Sequence, residues 1–249
     1  LSAAADVLYV VWAEGLLQRY FRHPTLHWVL AESVDLVEES GATVTALAPL
    51  VGRSSLAVGD STGRLRIWFR SRPEQGTDVE SADGFRMVVG HEFADAASPV
   101  TALGPSARSR LLAVGRADGT VEVVQVTSQR RLGSVRTATG GVLGVSLAPR
   151  EDALVARTAE AIETWSLDAR APEVTLAALF RPVWYEGHPG PQHVWQSTGG
   201  TNDFEPKLGL LPLIFGTLKA AFYSLLLGVP LALLAALFTS EFLSPRLRV

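Results

Sequence analysis

The sequence predicts a mainly β protein that ends in one α-helical membrane span. Three observations carry this prediction. They are an internal repeat, a period-two alternation of apolar residues around glycine-containing turns, and a run of nineteen residues without a charge near the end. The chain has 249 residues, which is enough for one large all-β domain or two ordinary domains.

An internal repeat occupies the first two-thirds of the chain, and its two best copies are offset by 56 residues. A third copy is weaker, and a partial copy opens the chain. The matched elements are VTAL at 44–47 and 100–103, LAVG at 56–59 and 112–115, Gly63 and Gly119, VSLAP at 145–149 against TALAP at 45–49, AIETW at 161–165 against RLRIW at 64–68, and 8–20 against 56–68. A fixed period of this length is typical of solenoids and propellers.

Each copy is interpreted as two strands joined by a tight turn, with a further short strand before them. Units of roughly 44–56 residues that are rich in β-branched residues are typical of a WD40-like propeller blade. Gly90-His91, Trp68 and Trp165 stand where such a blade carries its glycine-histidine pair and its tryptophan, although the aspartate after the tryptophan is missing. We therefore predict a partial WD40-like β-propeller over residues 1–180, with three blades and part of a fourth.

A polar insertion explains the long spacing between the two best copies. The segment 71–84, SRPEQGTDVESADG, is acidic and rich in turn formers, so we expect a surface loop between blades. Propellers close with about 4–8 blades, so residues 1–180 are not expected to close a ring alone. Either upstream blades or another chain would complete it.

Composition excludes several classes of function. The formal net charge is −3, so a nucleic-acid partner has no electrostatic support. The chain has no cysteine, which excludes disulfides, thiolate metal sites and cysteine nucleophiles. It begins at Leu1 without a signal peptide and ends soon after a basic turn, so we expect a longer parent protein.

The composition changes near residue 180. Residues 181–207 contain several prolines, glycines and aromatic residues without clear periodicity, and we interpret them as a junction ordered by Trp184, Tyr185 and Trp195. Aromatic residues of this type also favour the membrane–water interface. Residues 208–249 form the third region, which contains the predicted span.

The predicted membrane span is Ala220–Phe238, whose length matches the ~30 Å hydrocarbon core of a bilayer. Pro230 lies within it and is expected to kink the helix. Lys219 lies at its edge, where it either snorkels to the interface or faces a neighbouring helix. The lysines before the span and the arginines after it nearly balance, so charge does not decide the orientation.

From about residue 179 onward the sequence resembles the start of the permease domain of phosphate-type ABC importers (the PstC-like subunit). The resemblance is carried by LLPLIFGTL at 210–218, Gly-Val-Pro at 228–230 and Thr-Ser-Glu at 239–241. Some members of this family are similar in a second respect, a propeller-like insert between their first two transmembrane helices. The coupling loop and the remaining helices of such permeases are absent from this sequence.

The resemblance implies a subunit of the bacterial inner membrane with its propeller in the periplasm. The implied partners are the lipid bilayer, a second permease subunit, a cytoplasmic ATPase and a periplasmic phosphate-binding protein. It also implies that phosphate is the transported substrate.

Several histidine and aspartate side chains are candidates for a functional site. His188 and His193 are either two metal ligands without a third or residues of a solvated loop. His91 is interpreted as a structural residue of a blade. Asp60 and Asp118 are either ligands on the propeller rim or, as we favour, caps of their own turns.

Arginines form two small basic patches, which either attract phosphate or are solvated loop residues. They are Arg108 and Arg110, and Arg130, Arg131 and Arg136. No nucleophile motif or phosphate-binding glycine loop is present. We therefore predict no catalytic, cofactor-binding or metal-binding residue, and a protein that is not an enzyme.

The function predicted from the sequence is that of a fragment of a phosphate ABC permease, with a propeller used for protein docking. The alternative is a membrane-anchored propeller that only scaffolds protein–protein interactions. A propeller enzyme is the weakest alternative, because no site supports it.

Overall fold

A computed structural model of the chain describes residues 1–2, 4–25, 27–37, 41–73, 81–94, 98–196 and 205–242. Within these residues the chain forms consecutive antiparallel sheets and then one long helix. The predicted mainly β fold with an apolar C-terminal helix is confirmed. The glycine-rich stretch 197–201 and the basic C-terminal turn lie outside the described residues.

Four sheets follow one another along the chain, and each is a blade. The first blade has three strands, the second and third have four each, and the fourth has three. Their strands are β1 (Val7–Val11), β2 (Leu16–Arg22) and β3 (Trp28–Asp35); β4 (Val44–Pro49), β5 (Ser55–Asp60), β6 (Leu65–Ser71) and β7 (Arg86–Phe93); β8 (Val100–Pro105), β9 (Leu111–Arg116), β10 (Thr120–Gln125) and β11 (Arg130–Arg136); and β12 (Gly144–Leu147), β13 (Ala153–Arg157) and β14 (Ile162–Ser166).

Two helices and a hairpin complete the described part of the chain. They are α1 (Leu176–Phe180), β15 (Trp195–Gln196), which pairs with β16 (Lys207–Leu208), and α2 (Leu211–Phe242). Thr175 caps α1, since its hydroxyl accepts from the backbone N–H of Ala178 at 3.0 Å.

Each pair of neighbouring blades encloses one apolar cluster, because alternate residues of a strand face opposite sides of its sheet. Leu17 and Leu36 of the first blade meet Val58 and Trp68 of the second. Ile67 faces the other side and meets the third blade. A further cluster lies between the third and fourth blades. The core is therefore a row of blade–blade interfaces, as in a propeller.

The two best sequence copies form equivalent contacts. The hydroxyl of Thr45 in β4 donates to the carbonyl of Val100 at 2.5 Å, and that of Thr101 in β8 donates to the carbonyl of Val142 at 2.6 Å. These two hydroxyls also donate to carbonyls of their own sheets, both at 3.2 Å. The 56-residue repeat therefore preserves how each inner strand holds the next blade.

The third sequence copy is real but shifted in its first strand. Trp165 pairs with Leu154 as Trp68 pairs with Leu56, so this part of the alignment is confirmed. In β12, however, the bond that closes the first turn joins Ala148 to Ala153, which corresponds to Leu50 and Ser55. Residues 145–147 therefore match 47–49, two residues from the predicted alignment.

Half of the predicted loop 71–84 (74–80) lies outside the described residues, but its end packs against the first blade. Asp83 binds the guanidinium of Arg19 at 2.5 Å, and Arg19 is fully buried. The hydroxyl of Ser81 donates to Asp83 at 2.7 Å. The described end of this segment is therefore part of a blade–blade interface.

The helix α2 has 32 residues and includes all of Ala220–Phe238. Its length of roughly 48 Å at 1.5 Å per residue exceeds the hydrocarbon thickness of a bilayer. The most apolar 18-residue stretch within Leu211–Glu241 has a mean hydropathy of 2.2, and none of this stretch is buried by the rest of the chain. By length and composition it is the one described helix that could cross a membrane.

Candidate functional site

The junction residues lie against one face of the propeller. This face, the junction face, is formed where β5 and β9 begin and where β6 and β10 end. Ser71 at the end of β6 donates to the carbonyl of His188 at 2.7 Å and forms a parallel bridge with Gly187. Tyr185 is only 1% exposed, so the junction closes over the protein instead of extending away from it.

A buried polar cluster fixes the junction to the second and third blades. The carboxylate of Glu186 pairs with the guanidinium of Arg110 and accepts from the hydroxyl of Ser55 at 2.7 Å. A second carboxylate, Glu205, accepts from the hydroxyl of Thr127 at 2.5 Å and from the backbone N–H of Glu186 at 2.8 Å. Each of the two carboxylates therefore accepts hydrogen bonds that offset the cost of its burial.

Aromatic packing adds to this attachment. The ring of Trp184 meets that of Phe69 edge-on at 5.7 Å between centroids, and its Nε1 donates to the carbonyl of His188 at 2.9 Å. Gly90 lies beneath Phe69, and a Cβ atom there would stand 1.8 Å from the ring. The sequence signal Gly90-His91 is thus explained by close packing of a ring against the backbone.

His91 is structural, as the sequence indicated. It is 3% exposed, and its Nδ1 lies 3.0 Å from the amide nitrogen of Gln129 in the third blade. Burial and the positive charge of Arg110 lower the pKa of His91 to about 4, against a smaller opposing effect of the Trp184 backbone. The imidazole is therefore neutral at neutral pH.

The other histidines do not form a metal site in the described part of the chain. There, no three histidine, aspartate or glutamate side chains are grouped to hold an ion. The Nδ1 of His188 lies 3.2 Å from the amide oxygen of Gln192. His193 has its Nδ1 buried without a hydrogen-bond partner.

The turns on the face opposite the junction are capped by aspartates. Asp60 accepts from the N–H of Thr62 at 2.9 Å and from that of Arg64 at 3.0 Å. Asp118 accepts from the N–H of Thr120 at 3.0 Å and from Arg136 at 3.1 Å. The interpretation of both aspartates as turn caps is confirmed.

The fold does not keep the arginines of the two predicted basic patches together as patches. Arg110 is buried in its ion pair with Glu186, so it is not part of a solvated patch. Arg136 pairs with Asp118, and Arg131 lies 3.8 Å from Glu122. Arg108 and Arg130 remain exposed.

A cavity of about 610 Å³ opens on the junction face between the first and second blades. Tyr9, Arg70, Phe85, Arg110 and Glu186 line it. The guanidinium of Arg70 lies 4.4 Å above the Phe85 ring. Burial raises the pKa of Tyr9 to about 12 against the opposing effect of nearby arginines, so its hydroxyl stays protonated. This set contains no activated nucleophile.

The junction leads directly into α2. The backbone N–H of Gly209 donates to the carbonyl of Val194 at 2.8 Å, and that of Leu210 donates to the carbonyl of Leu179 at 2.8 Å. Lys207, counted in the sequence among the charges that flank the span, is 8% exposed and donates to Gln196 at 2.7 Å. The helix therefore leaves from a folded platform on the junction face.

The surface of α2 is apolar on all sides. Its side chains from Leu213 to Phe238 are largely exposed, including Phe215, Leu227 and Leu231 at 66–70%. The Nζ of Lys219 lies 5.8 Å from the centre of the Tyr223 ring, one turn along the helix. An exposed apolar surface of this extent marks a site of contact with lipid or with other apolar helices.

Sequence reasoning missed the residues that attach the junction. Arg110 and Glu186 are 76 residues apart, and neither stands in a motif. Glu205 likewise stands in no motif. The one available signal was the aromatic content of the junction, which predicted order at Trp184 and Tyr185.

One solved structure supports the fold. The chain is similar to the β-propeller domain of Cps50 (Swd1) from Myceliophteria thermophila, with a TM-score of 0.53 and 16% identity, over 67% of this chain and 52% of that one. A chain of the mitotic checkpoint complex matches with a TM-score of 0.47 and 16% identity, over 66% of this chain and 46% of that one. The chain spans about half the length of these solved chains.

No family model matches the sequence, and no curated protein matches it. At this identity, the likeness to the Cps50 domain shows a fold and nothing about activity. The described part of the chain thus has a WD40-like β-propeller fold, which is joined to one apolar helix.

Proposed function

We propose that this chain is part of an inner-membrane permease subunit of a phosphate ABC importer, whose propeller docks proteins in the periplasm. In this proposal residues 1–180 are the docking propeller, 181–207 the junction and 208–249 the start of the permease domain. The partners are the lipid bilayer, a second permease subunit, a cytoplasmic ATPase and a periplasmic phosphate-binding protein. Nucleic acid is not a partner, and the chain is not an enzyme.

The observation that carries the membrane part of the proposal is the all-round apolar surface of α2. A soluble helix would bury one face, whereas the most apolar stretch of α2 is not buried at all. Its attachment to the junction face supports an anchor held at a fixed place on the propeller. The phosphate substrate rests on the resemblance of residues 210–241 alone.

Membrane insertion is tested by Leu227→Arg near the middle of α2. An arginine at the centre of a span costs about 2.5–3.5 kcal/mol on translocon scales, whereas one near its end costs less. We expect glycosylation-reporter assays to show reduced insertion for Leu227→Arg and near-normal insertion for Thr239→Arg. Equal insertion of both variants and the unaltered chain would reject the span.

Orientation is tested with single cysteines, because the chain has none of its own. Ala117 lies at an exposed turn on the face opposite the junction, and Ser240 lies at the end of α2. A membrane-impermeant maleimide should label Ala117→Cys from the periplasmic side and Ser240→Cys only after permeabilisation. The reverse pattern would contradict a periplasmic propeller.

The transport role is tested by the proteins that copurify with the full parent protein from membranes. Recovery of an ATPase and a second permease subunit supports the permease. Recovery of the anchored propeller with envelope proteins and without either subunit favours the alternative, a scaffold without a transport role.

A further inference from the structure

The exposed apolar surface of α2 begins at its first turn, before the predicted span Ala220–Phe238. Leu211 and Phe215 are both exposed there. At 1.5 Å per residue the predominantly apolar part of α2, Leu211–Phe238, is about 42 Å long, whereas the hydrocarbon core of a bilayer is ~30 Å thick. A helix of this length tilts, so that the bilayer surface reaches its first residues. The flexible stem of Lys219 allows its ammonium group to extend to the headgroups.

Two elements of the junction face are fixed at the start of α2. The backbone N–H of Leu210 donates to the carbonyl of Leu179 in α1 at 2.8 Å. Trp195 of β15 pairs with Leu208 of β16, three residues before α2 begins. We call α1 and the β15–β16 hairpin the platform. A bilayer surface that meets the first turn of α2 therefore also meets the platform.

The platform carries exposed apolar side chains. Leu176 and Phe180 are four residues apart and lie on the same side of α1, and both are exposed. Ala178 is buried on the other side of the helix. Trp195 is exposed in β15. Large apolar side chains that are grouped at one end of a domain mark a surface of contact.

The aromatic residues of the junction differ in their exposure. Tyr185 is buried, and the ring of Trp184 packs on Phe69, so neither is available to a membrane. Trp195 is available, and an indole favours the membrane–water interface because its ring is apolar and its N–H is polar. Arg181 directly follows Phe180 and is exposed, which places a cation where it can meet anionic headgroups.

We infer that the platform lies in the membrane–water interface, with Leu176, Phe180 and Trp195 in contact with lipid. The inference rests on the proposed membrane span, because α2 holds the platform at the bilayer. Burial of apolar side chains beside the span adds a second attachment to the bilayer and restricts rotation of the propeller about α2. The junction face is then turned toward the membrane, and the aspartate-capped turns point away from it.

The test measures the surroundings of nitroxide probes on single cysteines in the full chain, which has no cysteine of its own. The chain is reconstituted in vesicles of phosphatidylcholine and phosphatidylglycerol. Leu176→Cys and Trp195→Cys report on the platform, and Leu227→Cys reports on the span. Ile162→Cys is the matched control, because Ile162 is 70% exposed and Leu176 is 77% exposed. Ile162 begins β14 and so lies toward the face opposite the junction.

Collisions of each nitroxide with oxygen, which concentrates in lipid, and with a water-soluble nickel chelate are measured by electron paramagnetic resonance. We expect the probes at 176 and 195 to lose most of their collisions with the chelate and to gain collisions with oxygen, relative to the probe at 162. Chelate collisions as frequent at 176 and 195 as at 162, with the probe at 227 in lipid, would overturn the inference and leave the span intact.

Two other outcomes would also overturn it. Few collisions with either reagent at 176 and 195 would mean that protein, and not lipid, covers the platform. Frequent chelate collisions at 227 would reject the span itself, and the inference would fall with it.

Discussion

The interface between the first and second blades differs from the interface between the second and third at one equivalent position. Arg19 in β2 pairs across its sheet with Tyr9, as Ile67 in β6 pairs with Ala57 and Val123 in β10 pairs with Ala113. Ile67 and Val123 are buried in apolar clusters. Arg19 is equally buried but carries a charge.

Arg19 is accommodated because each of its charged neighbours is held in place. Its guanidinium bonds Glu32 at 2.6 Å, Asp83 at 2.5 and 2.8 Å, and the carbonyl of Phe85 at 2.8 Å. Glu32 also accepts from the N–H of Met87 in the second blade at 3.0 Å. A blade–blade interface can therefore be closed by apolar packing or by a satisfied ionic cluster. The ionic version depends on every partner.

Among the variants that test this comparison, Arg19→Met is expected to change the stability most. Removing the cation leaves Glu32 and Asp83 partly buried without it, and breaking a buried pair in this way typically costs about 3–5 kcal/mol. The matched change at the apolar interface, Ile67→Val, removes one methylene group and should cost about 0.5–1.5 kcal/mol. Denaturant unfolding of the full chain in detergent measures both. A cost for Arg19→Met no larger than that for Ile67→Val would contradict the ionic interface.

A second variant separates the cost of unpaired charge from that of lost volume. Arg19→Met combined with Glu32→Gln and Asp83→Asn leaves no buried carboxylate without a cation. We expect this triple variant to recover a measurable part of the stability lost in Arg19→Met. No recovery would mean that packing of the arginine stem, and not its charge, holds this interface.

The apolar interfaces could be anticipated from the sequence, whereas the ionic one could not. VTAL and LAVG recur with a fixed offset, so the strands, turns and inward faces of the second and third blades follow from local pattern. Arg19 and Asp83 are 64 residues apart, and the partner of Arg19 lies at the end of an acidic segment that looks like a solvated loop. The same applies to Glu186 of the junction. The tertiary fold brings such pairs together, and no periodic pattern in the sequence predicts them.

The apolar interfaces also depend on glycines, whose backbone lies close to a valine side chain at the start of the next blade. Gly59 in β5 faces Val100, and a Cβ atom there would lie 2.4 Å from Val100 Cγ1. Gly115 stands in the same relation to Val142. The first blade carries Val11 at the equivalent position, so its interface with the second blade does not depend on a glycine there.

Gly59→Ala should therefore destabilise the protein by about 1–3 kcal/mol, the usual cost of overpacking a core. Val100 is fully buried and β-branched, so it has little room to yield. Gly133→Ala in β11 is the control, because no atom lies within 4 Å of its Cβ position. If thermal melts show equal shifts for the two variants, the close approach of these blades does not limit stability.

The smallest effect we expect is a loss of stability in acid that belongs to the ionic interface. Burial alone would raise the pKa of Asp83, but hydrogen bonds from Arg19 and Ser81 outweigh it and lower the pKa to about 2, from an ordinary value of 3.8. Because the folded protein binds this proton less readily than the unfolded chain, the stabilisation is complete above pH 3.8. It is lost as the pH falls from there toward 2.

The loss over this window should be about 1–2 kcal/mol. It is measured as the difference between the unaltered chain and Asp83→Asn, since the other carboxylates titrate in both. The titration of His91, which lies between the second and third blades, does not interfere with this measurement. It is neutral when buried, and its destabilising protonation falls between pH 6.5 and about 4. Parallel stability curves for the two chains from pH 4 to 2 would show that Asp83 does not carry the charge-dependent part of the first interface, and that Glu32 alone balances Arg19.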